Sequence, residues 1–195
     1  MEGILLGYIR VLCHDILNHL QVVSGLAQLQ KAERIGRYVA EVGNQIKEIG
    51  RVARLENRHL ATALFGCLQW FSRYGVPYRL TVAAEAVATP AGGIPPGSLV
   101  DGLALLGREM ASRLEGLDRP LLVAVEVEGS GPRVRITLPG DREDAADVAR
   151  ACAAAVEAGL AEGGGQVQVL HGDGPPALLL TFPALPDAGE RRVEE

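Results

Sequence analysis

Two stretches of apolar residues spaced by threes and fours, separated by a short break, constrain this chain more than any other feature. Leu5, Ile9, Leu12, Ile16, Leu20, Val23 and Leu26/Ala27 form the first. Sustained for about six turns, the spacing predicts an amphipathic helix from about Ile4 to Lys31. Ile35, Val39, Val42, Ile46, Ile49 and Ala53 form the second, with Arg37, Glu41, Gln45, Glu48 and Arg51 on its polar face. A turn near Ala32-Glu33-Arg34 makes the two helices antiparallel neighbours. Two helices cannot enclose a core alone. A second copy of the hairpin is the simplest cover, so the pattern predicts a homodimer built on a four-helix bundle. Gly36, Gly43 and Gly50 recur every seven residues in the second helix. Each costs about 1 kcal/mol of helix propensity; they either allow close helix approach or weaken the helix.

A boundary falls near Glu56-Asn57-Arg58-His59, with His59 read as a linker residue. The expected organisation is a helical hairpin over 1–57, a second domain over 58–186 and a flexible polar tail over 187–195. In the second domain, Leu60–Phe71 reads as an amphipathic helix, with Trp70 and Phe71 as packing residues. Val76–Val82 reads as a strand, and the Pro- and Gly-rich Thr89–Gly97 as a loop. A helix over Ser98–Leu114 follows, then paired strands Leu121–Val127 and Val134–Leu138 around Gly129-Ser130-Gly131. An alanine-rich helix Asp144–Ala161 precedes a last hairpin, Gln166–Leu170 and Ala177–Phe182, with Gly172-Asp173-Gly174 near its turn. This order predicts an α/β sandwich of mixed sheet and helices, and an α+β fold for the whole chain.

The first helix also carries the residues with chemistry. At about 100° per residue, His14 lies about 200° from both Leu12 and Ile16, so it points away from the apolar seam. Asn18 falls about 40° from it, Gln21 and Gly25 within about 20°, and Arg10 one turn before. Asp15 stands beside it. An exposed imidazole with a neighbouring carboxylate is a competent nucleophile, because the carboxylate can accept or orient the proton of the second ring nitrogen. Asn18 is placed to hold the imidazole or an incoming phosphoryl oxygen. Gly25 leaves a flat patch for another protein, and Arg10, Leu17, Gln21 and Gly25 are the candidate partner-docking residues. His19 falls on the seam side and reads as packing. Asp15 and His19 offer two metal ligands without a third, so no metal site is expected.

His-Asp-x-x-Asn-x-Leu in a long first helix, followed by an antiparallel second helix, resembles the phosphoacceptor hairpin of the sporulation initiation phosphotransferase B family. That family is related to the citrate- and dicarboxylate-sensing histidine kinases. The match falls on His14, Asp15, Asn18 and Leu20, with Gln21 and Gly25 in keeping. The resemblance implies that His14 carries a phosphoryl group, with Asp15 and Asn18 as its catalytic companions. The second domain is similar to the ATP-binding domain of histidine kinases, through Leu60–Val82 at its start and Gly163–Pro183 at its end. Two nucleotide features of that domain are missing. Arg108, within Leu105-Leu106-Gly107-Arg108-Glu109-Met110, stands where the resemblance implies a magnesium-holding asparagine. Ile136-Thr137-Leu138-Pro139-Gly140-Asp141 lacks the Asp-x-Gly-x-Gly pattern that would bind adenine. Gly163-Gly164-Gly165 has no following Lys-Ser/Thr and reads as a turn.

The resemblance therefore implies a phosphorelay phosphotransferase with a degenerate ATP-binding domain. It would accept a phosphoryl group from a response-regulator aspartate and pass it to a second regulator, in the family a sporulation factor. It would hold no cofactor of its own, with Mg2+ on the partner receiver domain. A non-catalytic dimeric adaptor, or an active kinase with a divergent nucleotide site, are the alternatives. Composition agrees with this class. The net charge of −5 carries no basic stripe for direct nucleic-acid binding. The start of the chain is too short and polar in its apolar run for a signal peptide or membrane span, so a cytoplasmic protein without its own sensor is expected. Cys13, Cys67 and Cys152 are scattered without CxxC spacing and read as reduced packing residues.

Overall fold

The computed structural model describes residues 2–88, 96–128, 131–162, 164–172 and 174–182. The expectations for the loop over 89–95, the Gly129-Ser130 turn, Gly163, Asp173 and the tail over 187–195 lie outside these residues. The chain opens with α1 (Glu2–Gln28) and α2 (Ala32–Val52). The turn comes three residues earlier than the apolar spacing suggests. Lys31 N–H donates to Leu26 O at 3.0 Å and Gln30 N–H to Ala27 O at 2.9 Å, while Gln30 takes a left-handed φ of 55°. This closure normally recruits glycine; glutamine in that position conceals the stop.

Asn57 begins the second unit as a helix cap: its side-chain oxygen accepts the Leu60 N–H at 2.8 Å. His59 is accordingly not a linker residue but lies in the first turn of α3 (Arg58–Arg73). Then come β1 (Tyr78–Val82), a short α4 (Ala84–Val87) that the sequence pattern did not suggest, α5 (Pro96–Arg113), β2 (Leu121–Glu128), β3 (Gly131–Thr137), α6 (Ala145–Ala161), β4 (Gln166–Leu170) and β5 (Ala177–Thr181). Pro96 and Gly97, read as the end of a loop, form the start of α5, where proline's missing N–H costs nothing. The five strands form one sheet in the order β1-β2-β3-β5-β4. β1 and β2 are parallel, as the crossover through α5 permits, and the other pairs are antiparallel. The fold is α+β.

Alternation places Leu80, Val82, Val123, Val125, Val134 and Ile136 in the core, while Arg79, Thr81 and Leu122 stay exposed on the other face. Helices α3, α5 and α6 complete the buried layer with Leu64, Phe71, Leu106, Met110, Cys152 and Val156. Phe71 is fully buried; Trp70 lies half-buried, with the Arg73 guanidinium 5.3 Å from its ring centroid. Helices α3 and α5 meet almost backbone to backbone at Gly107, where an added Cβ would sit 2.7 Å from both Cα and O of Cys67.

The hairpin is joined to this sheet through the outer edge of β1. Leu121 N–H donates to Pro77 O and Ala83 N–H to Val125 O, so the odd-numbered residues of β1 bond to β2. The even-numbered ones turn their backbone groups outward. At Val82 those groups are taken by α2: its N–H donates to Glu48 Oε2 at 2.8 Å and its C=O accepts from Arg51 Nη1 at 3.2 Å. Arg51 also bonds Glu48 at 2.8 Å. Below this clamp, Val52 and Leu55 are buried in the common core, and Leu12 and Ile49 pack against it. The hairpin's apolar surface is thus covered in its lower part by its own chain. Its upper part stays open, with Ile16, Leu17, Leu20, Val39 and Ile46 exposed, and Leu6 and Ile9 are exposed lower on α1. Gly36 and Gly43 have open space around them, and Gly50 meets only Arg54 Nη2 at 3.6 Å, so these glycines mediate no close helix contact within the chain.

Gly107→Ala is expected to force α3 and α5 apart and to destabilise the fold by about 1–3 kcal/mol, the usual penalty of overpacking. Urea unfolding followed by far-UV circular dichroism checks this.

Candidate active site

The exposed strip of α1 is free because the helix's other faces are engaged or apolar. His14 has a side chain 73% exposed. Its Nδ1 lies 3.1 Å from Asn18 Nδ2, one turn on, and 3.8 Å from Asp15 Oδ1. Both partners therefore address Nδ1, and among the described residues no side chain bonds Nε2. Asn18 makes the hydrogen bond; Asp15 is too distant for one and acts as a neighbouring charge. With the amide nitrogen toward the ring, Asn18 donates to an unprotonated Nδ1. With the carboxamide turned over, its oxygen accepts from Nδ1–H and the lone pair sits on Nε2.

The structure brings His14, Asp15 and Asn18 together. Arg10 and Gln21 are exposed on the same strip, and Gly25 has nothing within 4 Å of an added Cβ. Leu17 is exposed at the border between this strip and the open apolar face. His19 turns toward α2, where Nδ1 meets the Tyr38 hydroxyl at 2.7 Å in an edge-on ring contact. Sequence reasoning passed over Val22 and Leu29, which are exposed one turn beyond Asn18 and Gly25 respectively. Their signal was available: both are large apolar residues at polar-strip positions. It also passed over Tyr38.

Arg108 is exposed on α5 and pairs with Glu109 at 3.4 Å. Asp141, in the segment after β3, pairs on the surface with Arg119 at 3.3 Å. Arg142 grips the Asp144 carboxylate through Nε at 2.5 Å and Nη2 at 2.9 Å, and reaches Arg113 O at the end of α5 at 3.3 Å. This bidentate bond holds the Asp144 carboxyl below its ordinary range. Among the described residues no group of three or more His, Cys, Asp or Glu is arranged to hold a metal ion. No described helix is long and apolar enough to cross a membrane.

Residues 4–55 match the family model for the sensor-kinase SpoOB-type alpha-helical domain. The first unit is therefore similar to the helical domain of two-component sensor kinases. No curated protein sequence matches the chain. Among solved structures, Acinetobacter baumannii histidine kinase AdeS is 10% identical over 89% of this chain and 98% of its own, with a TM-score of 0.39. The histidine kinase domain of the Erythrobacter litoralis EL346 blue-light activated histidine kinase is 12% identical over 86% and 91%, with a TM-score of 0.41. The nucleotide-free catalytic domain of histidine kinase ThkA is 10% identical over 66% and 91%, with a TM-score of 0.42.

Cys13, expected to be a packing residue, is instead exposed beside His14, while Cys67 and Cys152 are buried. Burial pushes the Cys67 thiol up to about 12 and the Cys152 thiol up to about 11. Both stay protonated in the folded chain above their ordinary value of 9.0. The stability this contributes is complete below that value and is lost as pH rises toward the folded ones. In dilute native protein, Ellman's reagent should titrate Cys13 alone, with Cys67 and Cys152 reacting only after denaturation.

Proposed function

We propose that the protein is a phosphorelay phosphotransferase in which His14 accepts a phosphoryl group from a response-regulator aspartyl phosphate and passes it to a second regulator. The observation that carries this reading is the engagement of His14 through Nδ1 alone, on the exposed strip of a helix similar to the sensor-kinase type. Once the Asn18 carboxamide turns over from the Nδ2 contact, so that its oxygen accepts from Nδ1–H, Nε2 offers its lone pair to phosphorus. The P–O bond to the donor carboxylate breaks, its electron pair stays on that carboxylate, and an N–P bond forms. The ring keeps its Nδ1 proton and becomes cationic, and Asp15 balances the charge. In the second transfer a carboxylate oxygen of the acceptor attacks phosphorus, and the N–P electron pair returns to Nε2. No net proton moves. The step requires alignment and charge neutralisation more than covalent machinery. Mg2+ belongs to the partner receiver domain, which docks along Arg10, Leu17, Gln21 and Gly25, with Val22 and Leu29 adding apolar contact.

Autophosphorylation from ATP has no support in the second unit. Arg108 replaces the amide expected there, and the acids after β3 are paired with Arg119 and Arg142. Incubation with a phosphorylated receiver domain should place acid-labile label on wild type and none on His14→Ala, while ATP and Mg2+ alone should give none. Asn18→Ala should transfer about 10- to 100-fold more slowly through loss of alignment. Label from ATP would mean a working kinase. No label from any cognate receiver would leave a non-catalytic adaptor.

A homodimer completes this reading. A groove of about 240 Å³ between α1 and α2 is lined by Ile16, Leu20, Val23, Val39, Val42 and Ile46. The exposed apolar arc is centred about 120° from His14, so a second hairpin laid on it leaves the imidazole in solvent. Sedimentation equilibrium should give a dimer for wild type and a monomer for Leu20→Glu. Leu20 is 60% exposed in the single chain, so the substitution burdens the dimer and not the fold.

A further inference from the structure

A phosphoryl group carried between two partners spends an interval with neither. During it the anionic group sits on His14, and any cation that faces it must belong to this chain. Arg10 is placed to do so. It lies four residues before His14 on α1, which sets the two about 40° apart around the helix and about 6 Å apart along it. The Cα–Cβ bonds of a helix tilt toward its N-terminus, so the His14 ring leans over the turn that Arg10 occupies. Asn18 and Asp15 both address Nδ1. Nε2 lies across the ring from Nδ1, on the edge away from Asn18 and on the side where Arg10 stands. Arg10 is exposed, and among the described residues no carboxylate or other acceptor holds its guanidinium. Asp15 stands about 100° from His14 in the opposite rotational sense. The ring is therefore flanked by a carboxylate at Nδ1 and a guanidinium on the side of Nε2. A cationic ring bearing an anionic phosphoryl group calls for that order of charges.

We infer that Arg10 is a further catalytic residue, whose guanidinium contacts the phosphoryl oxygens at Nε2, in addition to any part in docking. This rests on the reading of His14 as the phosphoacceptor. The planar fork of N–H donors matches two phosphoryl oxygens at once, and residues one helical turn apart are close enough for the side chains to meet.

Phosphoramidate, which phosphorylates accessible imidazoles without a protein partner, separates this contact from docking. The Nε2 lone pair forms the new N–P bond, the P–N bond of the reagent breaks, and its electron pair leaves with the nitrogen as ammonia. Label at His14 is followed by mass spectrometry in wild type, Arg10→Ala, Arg10→Lys and Arg37→Ala. Arg37, exposed on α2, is the control for the general positive field, and matching thermal melts check that the fold is intact. The expected result is labelling about tenfold slower in Arg10→Ala, a smaller effect than that of a buried donor because the site is open to water. Arg10→Lys should recover part of the rate and Arg37→Ala should keep all of it. An unchanged rate in Arg10→Ala overturns the assignment and leaves Arg10 a docking residue. An equal loss in Arg37→Ala also overturns it, in favour of a diffuse field. Absence of His14 label in wild type overturns the phosphoacceptor reading and the assignment with it.

Discussion

The outward-facing backbone of β1 is the constraint on which the arrangement of this molecule depends. β1 is an edge strand, bonded to β2 on one side only. Such an edge must be paired, covered or otherwise blocked. A helix beside it cannot pair with it, because the backbone groups of a helix interior are already used within the helix. Side chains have to do it instead, and α2 supplies a matched set: Glu48 as acceptor for the Val82 N–H and Arg51 as donor to its C=O. The two side chains also bond each other at 2.8 Å, so each charge that approaches the edge arrives with its partner. The exposed Arg79–Glu41 pair at 3.3 Å is of the kind that contributes little. The clamp is the part that fixes the register of α2 along the sheet.

This attachment settles where the histidine can be. Leu12 and Ile49 reach the core of the α/β unit, and Gly7 passes so near Gln69 that an added Cβ would fall 2.5 Å from its side chain. The lower part of α1 is therefore held on α3, and His14 stands just above the point where that contact ends. A unit anchored on two helices and a strand edge is suited to presenting a fixed imidazole to something arriving from outside. The proposed relay asks for that arrangement, with a partner that moves to a fixed imidazole.

Much of the fold was legible because its elements carry strong periodic signals. The strands from Leu121 onward and the helix from Ala145 lie where alternation and alanine-rich spacing put them. The errors came where a single residue overrode the pattern. Gln30 adopts a backbone conformation that usually betrays itself as glycine, so the first helix was read three residues too long. Asn57 was read as part of a boundary, although its side chain starts α3 and draws His59 into the helix. The strip with His14, Asp15 and Asn18 was legible because one helix and one angle per residue define it. The contacts brought by other elements were not, since no spacing within α1 reveals that the Tyr38 hydroxyl of α2 meets His19. The cover of the hairpin was half legible. Its apolar face was plain, but that its lower portion is taken by Val52, Leu55 and the core of the same chain depends on the tertiary docking of β1.

What remains is a division of one helix into three faces. Viewed down α1, Leu12, His19 and Val23 face α2; Ile9, Ile16, Leu20 and Leu17 sweep across the open apolar arc; and His14, Asn18 and Gly25 occupy the remaining third. The first and third sets each fall within about 40°, and the open apolar arc between them spans roughly 100°, the width of an amphipathic face. Because one residue turns a helix by about 100°, a slip of a single position would exchange the sectors and bring the imidazole into apolar cover. The register of α1 must therefore be held more firmly than the packing of any one side chain requires. The long, clamped hairpin meets that requirement: α2 is locked to the sheet at Val82, α1 is locked to α2 through the His19–Tyr38 bond and the apolar seam, and the exposure of His14 is the consequence of both.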